Sequence, residues 1–547
     1  MKKSMKKAIS GVLCGAIVCG GAIGVIAGAN SGNGSTDSYV PIFRMAVASD
    51  THVDMNNAYR ANRIKSMFST AYAYADAHES YNKLDAVVVT GDLIDYSYYG
   101  NIVKFKSAVD ASIRTETTFI GMLGNHDIYK HTDLNKVDYS TYRDENDGYT
   151  EYRSADGWGW YQDAMDGRVD HSVTINGIQL ISMSTPDREG EYGDLYDGST
   201  TSNSSADDGD KIEWLEGELK KAAENSPKMP IFTFQHHHIR NTVLGSYYWT
   251  EDGGETYLGN SFHSAENSAQ LTEAFSKYPQ VINFSGHTHV PNGNVRNVHQ
   301  ENFTSVSVSA FKDITPSPII RDPYLRLAHS APDTLTNLTS TSYQGVTTDG
   351  ASLEGKVLST KEKDYSDSYI LVEVDANGLV KLRTYDLSSN AFMLTPTTGD
   401  GDAVLEFDVQ IGETAAETKA NFQYTNARAD VATAPTWGTG TSLTFGYVAD
   451  TTVNVKFPNA LDEQGMWGYL LTVKDADGNV VKTQYAYDYD YYMYGYDLKE
   501  DGSYKDEEYT ISGLTADTTY TVEVNAVNIW GKTSSALSGV ISTTATA

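Results

Sequence analysis

Seven side chains at the ends of apolar runs are of types that bind metal ions. They are Asp50 and His52 in SDTHVD, Asp92 in TGDLID, Asn125 in LGNHD, His236 in FTFQHHHI, and His287 with His289 in SGHTH. Imidazole, carboxylate and amide oxygen without thiolate suit Zn²⁺, Mn²⁺ or iron. Any one of them alone reads more readily as a turn or a helix cap, since Gly-Asp turns and strand-terminal Asp are common. Their recurrence changes that reading. Seven groups exceed what one open catalytic ion needs, so the pattern points to a pair of ions sharing a bridging carboxylate. Such pairs lie about 3.5–4 Å apart, clamp the attacking and leaving oxygens of an in-line displacement, and lower the pKa of a bound water to about 7.

These residues work together only if the fold brings them to one edge. PIFRMAVAS ends in Asp50, DAVVVT leads to Gly91-Asp92, TTFIGML to Gly124-Asn125-His126-Asp127, MPIFTFQ to His236, and QVINFS to Gly286-His287. Helical stretches at about 57–77, 102–113, 211–223 and 265–278 alternate with these runs, which predicts an α/β unit with its ligands at the C-terminal strand ends. HSVTINGIQLISMS reads as a hairpin turning at Asn176-Gly177. The Gly/Asp/Tyr/Ser-rich stretch around it, 129–210, reads as long loops.

At 547 residues the chain calls for two or more domains. Its formal charge of −31 disfavours nucleic acid, whose binding relies on Lys and Arg neutralising phosphates. Residues 1–29 read as a secretory signal: Lys2, Lys3, Lys6 and Lys7, an uncharged run, then Ala27-Gly28-Ala29. The competing reading is an uncleaved anchor. Both cysteines, Cys14 and Cys19, lie in this segment, so the mature chain is expected to lack disulfides and thiolate sites. A secreted or envelope-associated bacterial protein with no membrane span after signal cleavage is the expectation.

Taken in order, DxH, GDxxD, GNHD, a strand-end His and GHxH, spread over roughly 42–390, resemble the calcineurin-like metallophosphoesterase family. The resemblance implies an α/β fold in which a double β-sheet sandwich is flanked by helices, with a dinuclear site at the strand ends. Asp50, His52 and His289 would hold one ion. Asn125, His236 and His287 would hold the other, with Asp92 as the bridge. Asn125 and His126 would contact the phosphate. His126 would stabilise or protonate the leaving oxygen, Asp127 would orient His126, and Asp95 would support the turn carrying Asp92. His237 and His238 compete with His236 in the triple run. Purple acid phosphatases carry Tyr where this chain has Asp95, which leaves two divalent ions drawn from Mn²⁺, Zn²⁺ or Fe²⁺.

The implied function is hydrolysis of small phosphate mono- or diesters by in-line attack of a metal-bridging hydroxide. The long loops, Arg240-Asn241-Thr242, Tyr96 and Arg60 are candidates for specificity. The alternatives are a cell-surface binding protein with a vestigial phosphoesterase domain, and metal storage or sensing. The C-terminal tail, with period-2 alternation from about Ala434, resembles a fibronectin type III domain: Leu514 and Tyr520 sit at tyrosine-corner spacing and Gly531 at the late turn, although Phe457 stands where Trp is usual. A small all-β sandwich is therefore expected to follow the α/β domain. The organisation reads as signal 1–29, spacer 30–40, phosphoesterase domain 41–394, linker or β extension 395–433, and fibronectin-like sandwich 434–547. The sandwich is expected to space the first domain from the envelope or to dock there. The Tyr-rich patch 485–497 reads first as an aromatic edge, with carbohydrate stacking as the functional alternative.

Overall fold

Two β-sheets face each other across an apolar interior, each covered on its outer side by helices. The computed structural model describes residues 39–96, 99–127, 170–184, 208–246, 265–290, 292–311, 367–395, 404–487 and 506–546. The signal and most of the spacer, the greater part of the 129–210 loops and most of the Tyr-rich patch lie outside these residues.

The first sheet begins with β1 (Pro41–Ala48), β2 (Ala86–Val89) and β3 (Thr118–Gly121), which run parallel. These strands are apolar on both faces because both faces are covered. The second sheet runs β4 (His171–Ile175), β5 (Ile178–Ser182), β6 (Ile231–Phe234), β7 (Val281–Ser285), then β9 (Thr304–Ser307) and β8 (Val298–Gln300). Asn176 and Gly177 both have positive φ, which makes the β4–β5 connection the two-residue turn the sequence predicts. The first sheet is completed on the other side of β1 by β10 (Ser368–Asp375), β11 (Leu379–Asp386) and β12 (Ala391–Phe392). β13 (Glu406–Gln410), from the segment between the two expected domains, also pairs with β11.

Phe43, Met45, Val47, Val88, Phe232, Phe234 and Phe284 fill the space between the sheets. Alternate residues of the same strands point outward. Ala46, Ala48, Val87 and Val89 meet Ile64, Phe68 and Phe105 of α1 (Ala58–Asp76) and α2 (Tyr99–Asp110). Ile181, Ile231 and Val281 meet Leu215, Leu219, Leu271 and Phe275 of α3 (Asp208–Asn225) and α4 (Ala265–Ser276). This is the α/β double-sheet sandwich that the sequence predicts. Truncating a central residue such as Phe234 to Ala would cost about 3–5 kcal/mol.

The C-terminal region is a second sandwich, with no helix among its described residues. One sheet runs β14 (Thr444–Val448), β15 (Val453–Pro458), β18 (Asp506–Ile511). The other runs β17 (Val480–Tyr487), β16 (Met466–Lys474), β19 (Thr519–Asn528), β20 (Leu537–Ser542). Val455, Phe457, Leu471, Tyr509 and Val524 are buried between them. Tyr520 Oη accepts from Thr515 N at 3.0 Å, closing the corner predicted at that spacing. Trp437 stacks on Tyr469 at 6.0 Å and meets Phe457 edge-on at 5.9 Å, so a Trp from outside the strands supplies indole bulk beside Phe457.

Candidate metal centre

The strand ends of both sheets converge, and the turns leaving them are strained. Nine described residues other than glycine have positive φ; five are Asp50 (49°), His52 (42°), Asp92 (49°), His287 (69°) and His289 (52°). Left-handed backbone at Asp or His costs about 1–3 kcal/mol per residue and persists only where the surroundings over-determine it. Backbone hydrogen bonds tie these turns together: Asp50 N to Gly91 O at 3.0 Å, His52 N to Asp92 O at 2.9 Å, and Gly286 N to His236 O at 2.9 Å. The approach is close enough to demand glycine. A Cβ on Gly286 would lie 1.8 Å from Ser49 Oγ, and one on Gly124 would lie 2.3 Å from Asp92 Oδ1.

All seven sequence-predicted ligands come together. Three sets have ligand atoms within 4.8 Å of one another: Asp50, His52 and His289; His52, Asp92 and His126; and Asp92, His236 and His287. His289 Nε2 lies 3.3 Å from Asp50 Oδ1 and 3.2 Å from His52 Nε2. On the other side, His236 Nε2 lies 3.0 Å from Asn125 Oδ1 and 3.1 Å from His287 Nδ1. Asp92 Oδ2 faces both halves, 3.6 Å from His52 Nε2 and 3.3 Å from His236 Nε2. Asp92 Oδ1 meanwhile accepts from His126 N at 2.8 Å.

The donor set fits a cation. His236 Nδ1 donates to Thr90 O at 2.9 Å, which leaves Nε2 as a lone-pair nitrogen aimed at the Asn125 and Asp92 oxygens. Lone pairs that close repel unless a positive charge sits among them. Asp50 Oδ1 is buried and accepts no hydrogen bond of good geometry, though three imidazoles face it at 3.3–3.9 Å. Burial would raise the Asp50 carboxyl, yet His236, His289 and His52 outweigh it and hold it well below the usual carboxylate range. Burial is likewise overcome at Asp92, chiefly by His236, keeping it ionised. Burial would lower His236, but Asp92 and Asp50 raise it to about 9; a bound cation would take the place of that proton. Burial and neighbouring His236 lower His287 to about 3, leaving it the neutral imidazole a metal requires.

The residues around the ligands depart from expectation in instructive ways. Asp127 does not reach for the His126 ring. Its carboxyl accepts from the backbone N–H of Leu93 (3.2 Å), Ile94 (3.0 Å) and Gly124 (2.7 Å), fastening the Asp92 turn to the Asn125 turn. Burial and the Asp92 charge push it up to about 8. The His126 ring is held instead by Asp95, whose carbonyl accepts from Nδ1 at 2.6 Å. The Asp95 carboxylate lies 3.2 Å from His52 Nδ1, where it orients a ligand ring. The triple histidine also sorts itself out. His236 enters the centre, His237 packs on His287 with ring centroids 4.1 Å apart, and His238 bonds Ser285 Oγ (2.6 Å) and Thr288 Oγ1 (2.8 Å). His238 thereby fixes the residue between His287 and His289, a role its sequence position does not signal.

Among the specificity candidates, Tyr96 lies beside His126 at 6.0 Å between ring centroids. Arg60 donates to His52 O at 2.7 Å, and Thr242 Oγ1 donates to Ile239 O at 2.7 Å, so both support local backbone. No described helix is long and apolar enough to cross a membrane.

Comparison with curated proteins finds no match. The chain is similar in structure to a purple acid phosphatase from yellow lupin, at 12% identity and TM-score 0.35, covering 67% of this chain and 53% of that one. It is also similar to PhoD, at 13% identity and TM-score 0.35, covering 69% and 71%. The fibronectin type III domain of human fibronectin type III domain containing protein 3 matches 21% of this chain and 88% of its own length, at 16% identity and TM-score 0.14. This chain thus spans about half the length of the lupin enzyme. The family model for calcineurin-like phosphoesterases matches residues 43–291, from β1 through both histidines of SGHTH. Over residues 43–291 the chain is thus similar to the calcineurin-like phosphoesterases.

Proposed function

We propose that this protein is a secreted hydrolase of small phosphate mono- or diesters with two divalent metal ions in the centre described above. One observation carries the reading: Asp50 Oδ1 and Asp92 Oδ2, both on carboxylates kept ionised, lie 3.3–3.9 Å from imidazoles that converge on them from both sheets. Asp50, His52 and His289 would hold one ion and Asn125, His236 and His287 the other, with Asp92 between. Bound there, the ions would activate water and offset charge on the phosphoryl oxygens.

The chain's own residues do the rest. Asn125 and His126 sit side by side on the GNHD turn, where a phosphate can meet both. The His126 side chain is 25% exposed and donates from Nδ1 to Asp95 O, which leaves Nε2 as the ring nitrogen suited to pass a proton to a departing alkoxide. Asp127 keeps that turn in register with Asp92. The Lys-rich leader supports export, and the second sandwich supports a fibronectin-like accessory role. Hydrolysis of p-nitrophenyl phosphate and bis-p-nitrophenyl phosphate with added Mn²⁺, against Asp92→Ala, tests the reading. Turnover by the native chain alone is expected. Metal uptake without turnover of any ester would favour a vestigial domain retained for binding.

A further inference from the structure

We propose that the C-terminal sandwich is a working part of the metal centre, with Trp530 and Ile529 as positioning residues for the turn that carries His287 and His289. The inference rests on the metal reading above and extends it to residues more than two hundred positions away.

His289 is followed directly by Val290, which is fully buried. Val290 shares an apolar cluster with Leu244 of the first domain and with Trp467, Val527, Ile529 and Trp530 of the sandwich. Three further connections reinforce it. Arg296, 2% exposed, donates to Ile529 O at 3.0 Å and lies over the Trp530 ring at 4.7 Å. Arg296 O in turn accepts from Leu244 N at 3.2 Å. Arg428, also against Trp530 at 5.4 Å, donates to Val295 O (2.7 Å) and Val298 O (2.8 Å). The far side of the same turn is held by His238 through Thr288. A turn with positive φ at both His287 and His289 needs such bracing, because each would otherwise relax toward ordinary backbone. The second domain supplies one of its supports.

Mn²⁺ titration of the full chain, followed by electron paramagnetic resonance and calorimetry, tests this with Trp530→Ala, Trp530→Phe, Val290→Ala and the double variant. Val473→Ala, inside the sandwich core away from the cluster, is the control. Trp530→Ala and Val290→Ala are each expected to weaken Mn²⁺ binding roughly 10–100-fold, the range for residues that support ligands. Their combination should lose little more than either alone, because both open the same cluster. kcat for p-nitrophenyl phosphate should fall with KM nearly unchanged, Trp530→Phe should recover most of the loss, and Val473→Ala should bind Mn²⁺ as the native chain does. A folded Trp530→Ala with native Mn²⁺ affinity, or losses that simply add, would overturn the inference. Should Trp530→Ala not fold, unchanged binding in Val290→Ala overturns it equally. If the native chain itself takes up no Mn²⁺, the metal reading falls first.

Discussion

The chain contains two β-sandwiches that treat the same backbone requirement in opposite ways. Among the described residues of the C-terminal one, left-handed positions are filled by Gly440, Gly465, Gly478, Gly513 and Gly531, with Asp517 as the exception. Where the two sheets of the first domain converge, Asp50, His52, Asp92, His287 and His289 occupy such positions, with Gly91 beside them. Glycine adopts this conformation at no steric cost, whereas Asp and His do not. The second sandwich is therefore built for its own stability. The first gives some of its stability to hold ligand atoms at angles that ordinary strand ends do not offer.

The largest effect expected from this contrast is at Asp92, which faces both halves. Asp92→Ala should abolish hydrolysis and Mn²⁺ uptake together, well beyond the roughly 100-fold that a supporting residue costs. Retained metal uptake would show that the two halves do not depend on a shared carboxylate. His126→Ala should lower kcat by about 10²–10⁴-fold on alkyl phosphates while leaving Mn²⁺ affinity unchanged. The loss should shrink for p-nitrophenolate, which departs without help; an equal loss for both leaving groups would argue against proton donation from this ring.

Glycine-to-alanine changes sharpen the comparison directly. Gly286→Ala forces a Cβ against Ser49 Oγ and should loosen metal binding, with a drop of roughly 10–100-fold in activity. Gly478→Ala, at φ 84° with nothing within 4 Å, should cost about 1–2 kcal/mol of thermal stability and no activity. Equal effects at the two sites would erase the distinction between the sandwiches. The smallest effect concerns His299 on β8. Burial, aided by the cations Arg428 and Arg296, lowers its pKa from 6.5 to about 3. A depressed imidazole favours folding above pH 6.5, and that contribution shrinks as pH falls, because the unfolded chain takes up the proton first. His299→Gln should therefore melt below the native chain at pH 7.5, with the gap narrowing by pH 5 in paired melting curves.

The ligands were legible because each follows an apolar run, and a strand buried on both faces must end where polar groups begin. That regularity locates Asp50, Asp92, Asn125, His236 and His287 without any knowledge of their partners. It is silent on second contacts. Asp127 beside His126 in the chain invites the idea that it orients that ring, yet folding turns its carboxyl to the backbone of Leu93, Ile94 and Gly124. Similarly, its place after the strand singles out His236, but the roles of His237 and His238 depend on His287, Ser285 and Thr288 arriving from other segments.

By itself, the order of residues determined the alternation of apolar strands and helices, the hairpin at Asn176-Gly177, the strand-rich tail and the ligand types at strand ends. These are local properties, set by side-chain period and turn chemistry. Only the tertiary structure decided that β13 joins the first sheet, that Asp95 serves both His52 and His126, and that Trp530 lies in one cluster with Val290. Each of those is a contact between segments far apart in the chain, chosen by which buried surfaces fit together, and no local pattern records that choice.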